Sequence, residues 1–258
     1  DRLSLPITDL GVTHGAMVTD VCRTYGGRLF RYADHLQRFL HDCTACHITL
    51  AFTPQQIADW AKELVACNAP HHETCELLLN TFATPTTLVM RTAPLDIRRY
   101  ADGVTLWPTP PHSAASGLLP PTIKHRNRFH WYIAERLAPP GTIPVTTDER
   151  GHLLETAVGN VILVRAGAMV SAPAETVLDG ISLRVVRELC KSQGIAYREQ
   201  LLTTDADEVI LCGTAFGLAG VRAIGERAYA CPGPITRRLM AVWSGLYNSI
   251  DNTKESIV

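Results

Sequence analysis

The segment IKHRNRFHWYIAERL, residues 123–137, sets one lysine, Lys124, among three arginines. The whole chain holds four lysines against twenty arginines, so an amine at this point departs from the prevailing guanidinium. Lys62 falls on the polar side of an amphipathic helix, and Lys191 sits in a last helical turn, where a cation complements the helix dipole. Lys254 belongs to a polar tail. Lys124 has no comparable explanation. It follows Pro120-Pro121 in an extended approach and precedes a helix that Asn127 is placed to cap. Helical spacing predicts burial of Phe129, Tyr132, Ile133, Leu137 and the stem of Arg136. An amine that attacks a carbonyl cannot be exchanged for arginine, whose guanidinium stays protonated. On position alone, a surface lysine on a loop is an equal reading.

The surroundings bound the answer. At 258 residues, 46% hydrophobic and 19% charged, the chain has the composition of a globular protein with one large domain or two modest ones. A formal net charge of -1 offers no global attraction for nucleic acid or an anionic membrane surface. No apolar run approaches the roughly 20 residues that span a bilayer. The chain opens at Asp1 without a signal pattern, which is consistent with a trimmed start. Eight cysteines, mostly inside apolar segments, read as buried thiols of a reducing compartment, with the cytoplasm as the expectation.

Outward from Lys124, residues 108–121 hold five prolines and read as a linker. It separates a smaller N-terminal α/β domain, 1–107, from a larger domain, 122–258. In the first, 15–32 reads as a hairpin turning at Gly26-Gly27, and Asp34 opens a helix with Leu36, Phe39, Leu40 and Cys43 on one face. Thr53-Pro54-Gln55-Gln56 is a capping-box start, followed by the apolar stripe Ile57, Trp60, Ala61, Leu64 and Val65. Strands are predicted near 76–82, 86–91 and 103–107. The second domain alternates short strands with turns, then carries a helix over about 182–192 that Gly194 ends and a last helix over about 235–249. The class is α+β.

IKHRNRFHWYIAERL resembles the Schiff-base lysine segment of the fold-type IV, pyridoxal-phosphate-dependent enzymes: class IV aminotransferases and aminodeoxychorismate lyase. Four more blocks are similar in the same order. They are DLGVTHGAMVTDVCRTYGGRLFRYADHLQRF with His35-x-x-Arg38, ERGHLLETAVGNVILVRAGAMVSAP with Glu155, LDGISLRVVREL, and ADEVILCGTAFGLAGV. Glu155 lies 31 residues after Lys124, a separation in keeping with the family.

The resemblance implies a two-domain, D-amino acid aminotransferase-like fold and the cofactor pyridoxal 5'-phosphate, anchored on Lys124. It implies that Glu155 faces the cofactor's ring nitrogen. The phosphate is then held by the amides of Ile181 and Ser182 at a helix start, the Ser182 and Thr214 hydroxyls, close backbone approach at Gly213, and Arg38. Taken singly, Arg38 reads as a surface residue, Ser182 as a helix cap and Glu155 as an exposed strand glutamate. The implied reaction is transamination between a small amino donor and a keto acceptor, with a homodimer as the assembly.

Substrate choice stays open. Lys124-His125 and Asn127-Arg128 look closer to the lyase version of the segment. The lyase's catalytic threonine, however, falls at Val21, and valine cannot relay a proton. Thr19-Asp20-Val21 replaces the usual Phe/Tyr-Glu-Thr, and the Arg-Gly strand segment is shortened in LLLNTFATPTTLVMRT. None of Arg91, Arg98 and Arg99 can be assigned to a substrate carboxylate from sequence. Thr19, and the amides of Thr214 and Ala215, are the candidates on that side. A non-catalytic cofactor binder is a further alternative. Cys43-Thr44-Ala45-Cys46-His47 matches the c-type haem attachment pattern, with core thiols the favoured reading, and His71, His72 and Cys75 lack a second cluster to complete a zinc site. No metal is expected.

Overall fold

The computed structural model describes residues 3–72, 74–110 and 118–248; residues 111–117 of the proline-rich stretch and Lys254 lie outside them. The chain divides into two compact units, Asp1–Leu95 with Ile123–Arg128, and Asp96–Thr122 with Phe129–Val258.

The first unit contains α1 (Leu10–Thr13), β1 (Val18–Tyr25), β2 (Arg28–Leu29), α2 (Tyr32–Ala45), α3 (Pro54–Asn68), β3 (Leu77–Ala83) and β4 (Leu88–Pro94). Its antiparallel sheet runs β2-β1-β3-β4. The β1–β2 hairpin turns on Gly26 and Gly27, whose φ of +56° and +74° are the left-handed values such a tight turn needs. α3 starts at the full capping box of Thr53 and Gln56, with Pro54 in its first turn. α2 starts earlier than Asp34, at Tyr32, and Asp34 is a first-turn acid.

Strand alternation sorts the sheet into two faces. Val18, Cys22, Leu77, Leu79, Ala83, Leu88 and Met90 point one way, into clusters with Tyr32, Phe39 and Cys43 of α2 and Ala61 and Val65 of α3. Trp60 of the predicted stripe is instead 39% exposed and meets Phe52 edge to face at 4.9 Å. By register, Thr19, Val21, Asn80, Phe82, Val89 and Arg91 share the opposite face.

The second unit contains α4 (Arg98–Ala101), β5 (Val104–Pro108), α5 (Phe129–Leu137), β6 (Ile143–Thr147), β7 (Leu153–Thr156), β8 (Gly159–Arg165), β9 (Ala168–Ser171), α6 (Ile181–Ser192), β10 (Tyr197–Glu199), β11 (Glu208–Gly213), β12 (Gly217–Ile224), β13 (Arg227–Ala228) and α7 (Pro234–Asn248). The pairings β8-β11-β12-β5-β6-β7 return to β8, so six strands close a ring around Leu106, Val145, Leu153, Val161, Leu163, Leu211 and Val221. β9 and β10 extend from β8, and α6 and α7 pack against β11 and β12. The buried Glu208 accepts the α7 first-turn amides of Ile235 and Thr236, each at 2.9 Å, fixing that helix start.

The structure departs from four sequence expectations. The strand predicted near 103–107 is β5, and it belongs to the second unit because it is hydrogen-bonded between β12 and β6. The segment around Lys124, assigned to the larger domain by sequence, clusters with the first unit. The face of α5 expected to be buried is open: Phe129 is 71% and Leu137 66% exposed, with Tyr132 and Ile133 also exposed, while Trp131 and Ala134 are the buried pair. Phe129 and Tyr132 stack on each other at 5.8 Å, and Arg136 lies over the Tyr132 ring at 3.7 Å. The helix begins at Phe129, so Asn127 stands two residues before it and not at its cap.

Candidate active site

In the first unit the chain around Lys124 runs along the start of β1. His125 pairs with Val18 in an antiparallel bridge, the Thr19 amide donates to the Lys124 carbonyl at 3.0 Å, and the Arg126 amide donates to the Met17 carbonyl at 2.8 Å. The Lys124 amide itself donates to Asp42 Oδ2 at 2.9 Å. Asp42, only 1% exposed, also meets His41 Nδ1 at 3.0 Å. Lys124 is therefore fixed on both sides of its peptide unit, by a strand and by a buried carboxylate of α2.

Asp42 belongs to a polar stripe of α2, His35, Arg38 and Asp42 at i, i+3 and i+7, all buried. Arg38, expected as a surface residue by periodicity, donates from Nε to Asp20 Oδ2 at 2.9 Å, and His35 Nδ1 meets Asp20 Oδ1 at 2.6 Å. Burial alone would raise the Asp20 carboxyl; the charges and hydrogen bonds of Arg38 and His35 outweigh it and hold the group well below the usual carboxylate range. Burial holds His35 below the usual imidazole range against the pull of Asp20. One buried carboxylate thus meets both the His35 imidazole and the Arg38 guanidinium. His125 is held below its usual range by burial and by the charges of Arg128 and Lys124, and its Nδ1 is buried without a hydrogen-bond partner. Thr19 donates its hydroxyl to the Thr81 carbonyl at 3.0 Å.

In the second unit, register places Glu155 of β7 opposite Asn160 of β8, and Asn160 opposite Cys212 of β11, one residue before Gly213. Glu155 Oε2 accepts the Leu178 amide at 3.3 Å, and Asn160 Nδ2 donates to the Leu178 carbonyl at 2.8 Å. Those bonds tie Glu155 to the loop that leads into α6. α6 starts at Gly180 with no side-chain cap, so the first-turn amides, including Ile181 and Ser182, are not claimed by a side chain from the cap position. Asp179 is occupied by Arg184 and Arg187, each at 2.8 Å. A side chain at Gly213 would run into the Val158 carbonyl and the Phe216 ring, so the turn Thr214-Ala215-Phe216 depends on glycine there. These are donors suited to an anion, and a carboxylate beside them, as pyridoxal 5'-phosphate requires.

Sequence reasoning missed Asp42 and Asn160. Asp42 had a signal in its seven-residue spacing from His35; Asn160 had none. Cys43 of the haem-like pattern packs with Val18, Phe39, Ile48 and Ala83, and burial pushes its thiol up to about 12.

The family model Amino-transferase class IV matches residues 17–224. A D-alanine aminotransferase of Staphylococcus haemolyticus is 25% identical over 256 residues, spanning 90% of this chain and 88% of its own. The branched-chain aminotransferase of Thermoproteus uzoniensis, solved with norvaline, has a TM-score of 0.86 at 19% identity over 95% of this chain and 90% of that one. A structure named for a 4-amino-4-deoxychorismate lyase of Legionella pneumophila has a TM-score of 0.80 at 17% identity over 95% and 96%. The chain has the fold of the fold-type IV enzymes. It belongs to the class IV aminotransferase family, a family of enzymes whose cofactor is pyridoxal 5'-phosphate.

Proposed function

We propose that the chain is an aminotransferase that carries its cofactor on Lys124 and moves an amino group between a small amino donor and a keto acid. The observation that carries the assignment of the lysine is its double anchoring, by Thr19 and by the buried Asp42, next to the Asp20–His35–Arg38 cluster. When bound, pyridoxal 5'-phosphate supplies an electron sink for a carbanion at the substrate carbon. The protein does the rest. The Lys124 amine takes a proton from the substrate carbon and returns it one position away. Glu155, positioned by Leu178, keeps a proton on the ring nitrogen. The Ile181 and Ser182 amides, the Ser182 and Thr214 hydroxyls and the backbone at Gly213 hold the phosphate. Arg38 is a further phosphate candidate on the family resemblance, and within the first unit its charge is offset by Asp20. Thr19, Thr214 and Ala215 serve the substrate side.

A half-reaction tests this. With an amino donor and no keto acid, an aminotransferase releases about one equivalent of carbonyl product per chain and stops, because the second substrate must restore it. A lyase turns over continuously. D-alanine and branched-chain amino acids are the first donors to try, after the activities the relatives are named for. Val21, paired with Asn80 across the sheet, favours the stoichiometric result, since it has no proton to relay. A silent binder would release nothing.

The exposed stripe Phe129, Tyr132, Ile133 and Leu137 on α5 supports a homodimer as the working assembly. Among the described residues no helix is long and apolar enough to cross a membrane. Eight free cysteines support a reducing compartment, the cytoplasm, as its place.

A further inference from the structure

Two guanidinium groups of the first unit have no acidic partner among the described residues; one lies against the Phe82 ring and the other stands next to Phe82 by sheet register. Arg126, two residues after Lys124, places Cζ 5.2 Å from the centroid of Phe82. Its backbone is fixed by the bond to Met17, so the side chain starts from a defined position. On β4, Arg91 stands directly opposite Asn80, and Val89 stands opposite Phe82, which makes Arg91 a diagonal neighbour of that ring. Thr19 is Phe82's partner on β1. Thr19, Phe82, Val89 and Arg91 belong to the sheet face turned away from α2 and α3. Arg23 of the same face is paired with Glu76 at 3.0 Å, so an arginine on this surface can be neutralised from within; Arg91 and Arg126 are not.

We propose that Arg126 and Arg91, flanking the Phe82 ring, recognise a carboxylate of the substrate. This deepens the aminotransferase reading and rests on it. Two cations held near one another with no internal anion repel, and a bound carboxylate relieves the repulsion while accepting charge-assisted, fork-shaped hydrogen bonds. Burial and the charge of Arg91 both hold Arg126 below the usual arginine range, in keeping with two crowded cations. Stacking over Phe82 limits the freedom of the Arg126 fork, so less entropy is lost on binding. The sequence raised Arg91 without assigning it and did not point to Arg126, which is far away in the chain and meets Phe82 only in the fold.

Inert analogues test the proposal without turnover. Glutarate has two carboxylates, butyrate one and butyramide none, and none has a carbonyl or amine that reacts. Titration calorimetry of the holoprotein is expected to rank them glutarate, butyrate, butyramide in falling affinity. Arg126→Gln and Arg91→Gln should each weaken glutarate by about tenfold or more, the loss of a hydrogen-bonded charge, and leave butyramide unchanged. Arg126→Lys, which keeps the charge but not the fork, should fall between. Equal binding of carboxylates and amide by the wild type, or glutarate affinity unchanged in both Gln variants, would overturn the proposal. Failure of the underlying reading is seen separately, as absence of borohydride-fixed cofactor on Lys124 in the wild type.

Discussion

The two units provide for charge in opposite ways. In the first, charged side chains are buried and answered by other side chains: Asp20 by Arg38 and His35, and Arg23 by Glu76. In the second, the start of α6 offers backbone amides with no side-chain cap at Gly180, and Glu155 is steered by one amide of the entering loop. The first arrangement is costly to break, because removing one partner strands the other in a dry interior. The second costs little when a side chain changes, because the donors are backbone. Substitutions among Asp20, His35, Arg38 and Asp42 should therefore disturb the fold as well as the chemistry, and those at the α6 start should disturb cofactor binding alone.

The largest effect expected is on turnover: Lys124→Ala should lower kcat by about 10⁴-fold, since it removes both anchor and proton carrier. Circular dichroism should remain unchanged, because the backbone bonds to Thr19 and Asp42 stay available. Asp20→Ala comes next. Removing the buried carboxylate that answers the Arg38 guanidinium should cost about 3–5 kcal/mol in urea unfolding, and an unchanged midpoint would remove the contrast between the units. Asp42→Ala should cost about 1–3 kcal/mol and speed hydrogen exchange at the Lys124 amide, whereas Asp42→Asn keeps an acceptor and should restore slow exchange.

Acidity offers a smaller effect. His35 and His125 are both held below the imidazole range, so the unfolded chain binds more protons than the folded one once pH drops beneath about 6.5. Stability is then full above that value and declines as pH falls toward the folded-state values. The urea midpoint should be lower at pH 5.5 than at pH 7.5, with a smaller decline in His125→Gln; an equal decline would show that His125 does not titrate in this window. Smallest of all, Ser182→Ala should leave the unfolding midpoint within about 0.5 kcal/mol and weaken cofactor binding severalfold, measured by fluorescence titration of the apoprotein.

Much of the first unit's framework was legible in sequence because its signals are local. The Gly26-Gly27 turn, the Thr53 capping box and the α2 stripe each occupy a few consecutive residues. The polar stripe of α2 was not, since a buried arginine looks exposed until Asp20, on another element, supplies its partner. α5 failed in the other direction: Phe129, Tyr132, Ile133 and Leu137 carry a core pattern, yet the described residues leave them exposed. Periodicity reports that a face is apolar, and only the assembled fold says what lies against it. Glu155, Ile181, Ser182, Gly213 and Thr214 stood out through family resemblance. Asn160, which links Glu155 to the α6 entry, stood out through nothing in sequence, because its role depends on register across three strands.

The central claim is that Lys124 is the cofactor's covalent anchor, and reduction with borohydride followed by peptide mapping tests it most directly. Holoprotein should lose its visible absorbance on reduction and yield one phosphopyridoxyl-labelled peptide, modified at Lys124. Label on another lysine, or wild-type protein that neither binds added pyridoxal 5'-phosphate nor becomes labelled, would contradict the account.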